Sequence, residues 1–437
     1  MVALPSSAAE PVVTTRRIVA FWLPLAATWL MMSAEGPFLT ALMARLPEAT
    51  FNLAAFGVAF SLAMLVEAPI IMMMSAAVAL VHGRVSFLAL RRFVSTLNAA
   101  ITAVMLVLLS PPVFRALAQG LIGLPADVAR LAHLGLALLL PWPAAIGYRR
   151  FYQGVLIRHG DTRRVAYGTV VRLATMAVSG GALYAWTRLP GIAVGAAALS
   201  IGVVCEAAAS RVMAARAVRS LLAGPDGPAL PLPAIVRFYY PLALTSLLTL
   251  GMQPLLTFFL GQSRHAIESL AVLPVLNALV FIFRSPGLAL QEVAIALLGR
   301  RRENALPLGR FATSLAAAAS AALALLAFTP LARLALGAVA GLAPELAAFA
   351  FVPLRILCVM AALEVLLSWQ RSLLVVERRT ALVTWGTAVE IGAAVTVMAL
   401  AIGPLDLVGA TAAALAIVTA RLAANGFLAW RLARTST

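Results

Sequence analysis

Residues Phe281–Glu292 read FIFRSPGLALQE and lie inside an apolar run from about Ile267 to Gly299. Arg284 sits near the middle of that run, two residues before Pro286. A charge held at mid-membrane depth costs about 2.5–3.5 kcal/mol by insertion assays, so it is kept where it meets a partner, a ligand or water. The same arrangement occurs earlier, at Phe60–Pro69 (FSLAMLVEAP), with Glu67 two residues before Pro69. The interval between Glu67 and Arg284 is about 217 residues, the size of a half-chain repeat. A carboxylate at one position faces a guanidinium at its counterpart. This is the pattern expected of two similar halves that meet around these residues.

The composition sets the environment. Hydrophobic residues make up 63% and charged residues 11%, with a mean hydropathy of +0.99. A soluble domain carries about 25% charged residues. The apolar runs reach about 20 residues or more, the length of a membrane helix, and there are about twelve of them. Short alternating strands, which a membrane barrel needs, are absent from the sequence. The fold class expected is an all-α integral membrane protein with two pseudo-symmetric lobes of six spans each. The net charge of +17 comes from arginines that flank helices. Loops on the side of the N-terminus hold about twenty of them and the opposite loops about six, which predicts both termini cytoplasmic. The polar start Met1–Arg17 leads straight into a full-length span rather than a cleavable signal. A bacterial inner membrane is the expected location.

The repeat has four anchors. Phe21-Trp22-Leu23-Pro24-Leu25 matches Phe238-Tyr239-Tyr240-Pro241-Leu242, Pro37 matches Pro254, and Pro69 matches Pro286. LIRHGDTRRVAYGTVVR from Leu156 lines up with LVVERRTALVTWGTAVE from Leu374. The Gly/Pro-rich segment 220–233 divides residues 1–219 from 234–437 and reads as a cytoplasmic linker. Six spans per half, an even number, makes the halves parallel repeats about an axis along the membrane normal. In such transporters the substrate site lies between the halves, and rocking alternates its access.

The buried ionisable residues are the candidates for chemistry. Glu35, Glu67, Arg149, Arg150, Arg172, Arg284 and Arg355 are candidates for binding substrate. Glu35, Glu67, Glu292 and Glu390 are candidates for coupling to a proton or cation. Arginine stays charged and suits carboxylate and phosphate. Glu67 with Arg284, and Arg172 with Glu390, also fit structural ion pairs joining the halves. Arg149, Arg150 and Arg371 stand near enough to helix ends to snorkel, and Arg421 and Glu206 read as interfacial. The run Met72-Met73-Met74 fits packing better than metal binding. Cys205 and Cys358 are isolated, and no HExxH, GxSxG, P-loop or paired Cys/His spacing occurs. No enzyme, metal or cofactor is expected, and no nucleic-acid partner; the expected partners are a small anionic solute, a proton or sodium ion, and lipid, with the protein monomeric.

At Leu53–Leu62, Tyr240–Leu244, Ser285-Pro286-Gly287 with Gln291-Glu292, and Val352–Ile356 the chain resembles the progressive ankylosis protein family. That family lies within the multidrug/oligosaccharidyl-lipid/polysaccharide superfamily, which also holds the MATE-like multidrug exporters. The resemblance is diffuse and covers most of the chain. It implies a two-lobe fold with a central cavity, and export of a small organic or phosphorylated anion such as pyrophosphate, nucleotide or citrate. Glu35, Glu292 and Arg355 match charged positions of the family. Gln253 and Ala294 stand where basic residues are expected, which weighs against a highly charged polyphosphate. A drug exporter driven by protons or sodium, or a lipid-linked precursor flippase, is the alternative.

Overall fold

The computed structural model describes residues 13–299, 302–377 and 379–434. The polar start up to residue 12 lies outside them. Twelve long helical elements follow one another: α1 Thr15–Ala44, α2 Ala49–Leu80, α3 Arg84–Leu109, α4 Ala126–Arg158, α5 Thr162–Trp186, α6 Gly191–Met213, α7 Leu232–Gly261, α8 Ala266–Leu297, α9 Ala305–Phe328, α10 Pro344–Val376, α11 Thr380–Ile402 and α12 Gly409–Ala433. Eleven are long and apolar enough to cross a membrane. The exception is α5, which is long enough at 25 residues but carries Arg163, Arg164 and Arg172. It is a multi-pass, all-α membrane fold, as the hydropathy predicts.

The breaks within spans have a local cause. A proline lacks the N–H that would close a turn, and its ring clashes with the carbonyl four residues back. Pro37 and Pro254 therefore end the first helical segment at Ser33 and Leu250, and α1 and α7 restart at Glu35 and Met252. In α2, Pro69 sits in a short 3-10 turn, Ala68–Ile70. In α8 the helix runs on through Pro286, and the hydroxyl of Ser285 donates to the freed carbonyl of Ile282 at 2.9 Å.

The repeat extends to hydrogen bonds. Asn52 accepts from the Ile192 N–H at 2.9 Å and so caps the start of α6, while its amide donates to Pro47 and Glu48 carbonyls. At the matching place, Ser269 accepts from the Ala410 N–H at 3.0 Å and caps α12. A π-helical turn occurs after α3, Ala116–Leu121, and again after α9, Leu334–Val339. Between the halves, the helix Ala215–Ala223 carries part of the expected linker. The remainder is docked: the Arg84 and Val85 N–H groups donate to carbonyls of Pro225 and Asp226.

The two halves are laced together through their first and second spans. The α8 helix packs on α1 and α2 of the first half as well as on α10 of its own. Ile18 is fully buried among Val293, Leu297, Leu308 and Leu373 of the second half. Its counterpart Ile235 is 1% exposed within the main apolar core. Gly57 permits the close crossing of α2 on α8, because a Cβ there would come 2.9 Å from Pro274. Replacing Asn52 with Ala removes three buried hydrogen bonds, each worth about 0.5–1.5 kcal/mol. The Asn52→Ala protein should lose about 2–4 kcal/mol in denaturant unfolding from detergent, clearly more than Ser269→Ala, which loses one bond.

Candidate functional site

Each half holds its own cluster of ionised side chains. In the first half Arg149, on α4, donates to Glu206 of α6 at 2.6 Å, and Gln153 one turn on reaches the other Glu206 oxygen at 3.2 Å. Arg172 of α5 pairs with Glu35 of α1 at 2.6 Å and approaches Glu206 at 3.7 Å. Glu206 is fully buried. Glu67 and Arg150 complete the group. Arg150 is the charge that acts most strongly on Glu67, followed by Arg149 and Arg172, yet among the described residues no cation lies within 4 Å of the Glu67 carboxylate. Three carboxylates face three guanidinium groups.

The second half has a related cluster built from different helices. Arg284 of α8 holds Glu364 of α10 through Nε at 2.9 Å and through a second nitrogen. Arg421 of α12 donates to the same Glu364 oxygen at 3.1 Å and lies 2.9 Å from Glu390 of α11. Arg371, one face along α10 from Glu364, reaches Thr387 at 3.4 Å. Here three guanidinium groups face two carboxylates.

These placements correct several sequence expectations. Glu67 and Arg284 are not a pair: Arg284 is committed to Glu364 in its own half. Arg172 and Glu390 likewise pair within their halves, with Glu35 and Arg421. Glu206 and Arg421 are not interfacial. Arg421 lies mid-helix in Gly409–Ala433, and both are ion-paired in the interior. Arg355 joins neither cluster; it is exposed and stacks on the ring of Phe328 at 5.7 Å. Glu292 is exposed on α8, facing Trp29 of α1. Glu364 was missed as a site residue. Its sequence signal was the seven-residue spacing to Arg371, which puts both on one face of α10.

Symmetry-related hydrogen bonds bridge the halves at two levels. The Trp22 indole donates to the Pro286 carbonyl at 3.0 Å, and the Tyr239 hydroxyl donates to the Pro69 carbonyl at 2.6 Å. Trp22 and Tyr239 are repeat counterparts, as are the two prolines. At the other level Arg45 donates to the carbonyls of Ala338 and Val339, at 2.7 and 2.9 Å. Its counterpart Gln262 donates to Leu121 at 3.3 Å. All three acceptors lie on the two π-helical turns, whose looser winding leaves carbonyls available. The ion pairs of both clusters lie within a half. Two hollows, of about 210 and 550 Å³, open on the rim of the first half beside Arg130 and His133.

The chain has the fold of the MOP-superfamily transporters. It superposes on an inward-facing multidrug resistance MATE family transporter of that superfamily with a TM-score of 0.72 and 16% identity, covering 96% of this chain and 98% of the other. The lipid II flippase MurJ, in an inward closed conformation, gives 0.71 at 14% identity over 95% of this chain and 87% of that one. A MOP superfamily transporter from Pyrococcus furiosus Vc1, described as having a binding pocket of reverse polarity, gives 0.66 at 14% identity over 98% and 99%. No family model matches the sequence, and no curated protein matches it.

Removing Glu364 takes the shared partner from half-buried Arg284 and Arg421, of which only Arg421 keeps a second carboxylate, Glu390. Glu364→Gln should therefore cost about 3–5 kcal/mol in unfolding. Exchanging Arg284 and Glu364 should restore most of that loss, whereas exchanging Glu67 and Arg284 should restore none.

Proposed function

We propose that this protein is a secondary active transporter of the progressive ankylosis type, moving a small organic or phosphorylated anion outward across the bacterial inner membrane. The two six-helix halves, divided at residues 220–233, rock to expose the site alternately, with both chain ends in the cytoplasm. One observation carries the choice of an anion. Among the paired charges of both clusters, the most exposed is a guanidinium, Arg284, whose side chain is 23% exposed on the seam helix α8. Its partner Glu364 is only 3% exposed. A solute entering between the halves meets positive charge first, and arginine's fork matches carboxylate and phosphate.

Coupling falls to Glu67. It is 4% exposed and forms no ion pair or side-chain hydrogen bond among the described residues. Its fellow carboxylates Glu35, Glu206, Glu364 and Glu390 are all tied to arginines. A buried carboxylate without a partner is costly when ionised, so a proton is its natural ligand. It stands two residues from the Pro69 carbonyl that Tyr239 holds from the other half. Loading and release of a proton there would be felt directly at that bridge.

Proteoliposomes supply the test. Pyrophosphate or citrate should move under an imposed proton gradient, and Arg284→Gln should slow that flux at least about tenfold, the loss of one good charge-assisted contact. Movement of organic cations without any anion flux would sink the reading. Glu67→Gln should leave whatever flux remains indifferent to the pH gradient.

A further inference from the structure

We infer that the second half contains an anion subsite formed by Arg371, with Thr387 beside it and Arg421 behind. This deepens the transport reading above and rests on it. The two clusters occupy related places in a repeated fold, yet their charge balance differs. The first half matches Glu35, Glu67 and Glu206 against Arg149, Arg150 and Arg172. The second sets only Glu364 and Glu390 against Arg284, Arg371 and Arg421.

The surplus is local to Arg371. Glu364 is shared between Arg284 and Arg421, and Glu390 is held by Arg421. Arg371 feels both carboxylates and the repulsion of Arg421, but among the described residues no carboxylate lies within 4 Å of it. Its one hydrogen-bond partner is the neutral Thr387 hydroxyl, at 3.4 Å, and its buried Nε has none. On the same two helices, α10 and α12, Gln370 Oε1 and Asn425 Oδ1 are buried and unsatisfied as well. The Gln370 amide and the Asn425 carbonyl hold α10 against α12 at 3.2 Å. Buried polar atoms of both kinds without partners mark a place that is completed by something else. Acceptors alone would fit a cation, but the net charge here is positive. A hydrated phosphate or carboxylate supplies the missing negative charge, and its waters supply donors to Gln370 and Asn425. Lipid headgroups carry the same phosphate chemistry; a small soluble anion is the ligand assigned here.

The decisive variant places the missing charge in the protein. Thr387→Asp is close to isosteric and sets a carboxylate at the position Arg371 already touches. Purified full-length protein is melted in lipid-free detergent with inorganic pyrophosphate at constant ionic strength. The wild type should gain several degrees in Tm, as any ligand of the native state confers. Arg371→Gln should lose that gain. Thr387→Asp should melt at or above the wild type without ligand and gain nothing from pyrophosphate. No gain in the wild type, an undiminished gain in Thr387→Asp, or a Thr387→Asp protein that melts well below the wild type would each overturn the assignment. So would a gain from phosphatidylglycerol in the micelles with none from pyrophosphate. Should Arg371→Gln fail to fold, Thr387→Asp still decides. Anion binding without anion flux in proteoliposomes counts against the transport reading, whereas flux that survives in Thr387→Asp counts against this subsite alone.

Discussion

A guanidinium in a hydrocarbon setting has to be neutralised at short range, and the helix packing of this protein follows from that requirement. Arg149 and Arg172 pull α4, α5, α6 and the second segment of α1 around Glu206 and Glu35. Arg284 and Arg421 do the same for α8, α10, α11 and α12 around Glu364 and Glu390. Coulomb attraction is strong where water is scarce, but so is the cost of desolvation. Such clusters therefore tie helices in fixed register more than they add to stability.

Contacts between the halves are of a different kind. Beside the apolar packing of α8 on α1 and α2, they include hydrogen bonds to backbone carbonyls: Trp22 to Pro286, Tyr239 to Pro69, Arg45 to Val339 and Gln262 to Leu121. Single bonds of this type contribute about 1 kcal/mol each and can be exchanged for water. The ion pairs thus lie within the halves, and the contacts across the seam are apolar packing and hydrogen bonds to carbonyls. Nor are the acceptors placed at random. They fall at a proline-broken turn, at a proline within a helix, and at two π-helical turns, all places where regular helix bonding is interrupted.

The repeat also shows how polarity diverges on a shared scaffold. Glu67 and Arg284 occupy matching positions, as do Arg172 and Glu390, yet Arg284, Arg172 and Glu390 are partnered by side chains that have no counterpart in the other half. Glu364 corresponds to the stretch around Ile146 and Gly147, and Arg421 to an apolar stretch of α6 around Val203. The backbone is repeated while the ionic wiring is not. A solute between the halves therefore meets unlike surfaces.

Much of this architecture was legible in the sequence. Run lengths near 20 residues, prolines in register and arginine flanks follow from short-range rules: backbone hydrogen bonding in hydrocarbon, the missing proline N–H, and the placement of charge at the membrane edge. These determined the number of spans, their breaks and the two-fold repetition. The partners of the buried charges were a different matter. Sequence symmetry suggested Glu67 with Arg284, but pairing depends on which helix faces meet, and α10 and α12 bring Glu364 and Arg421 to Arg284 first. Depth misled as well: Arg421 read as interfacial, yet it lies mid-helix in Gly409–Ala433 and is ion-paired to Glu364 and Glu390. Only the tertiary structure could decide these pairings, because an ion pair forms between residues some 57 to 80 positions apart once several helices have packed.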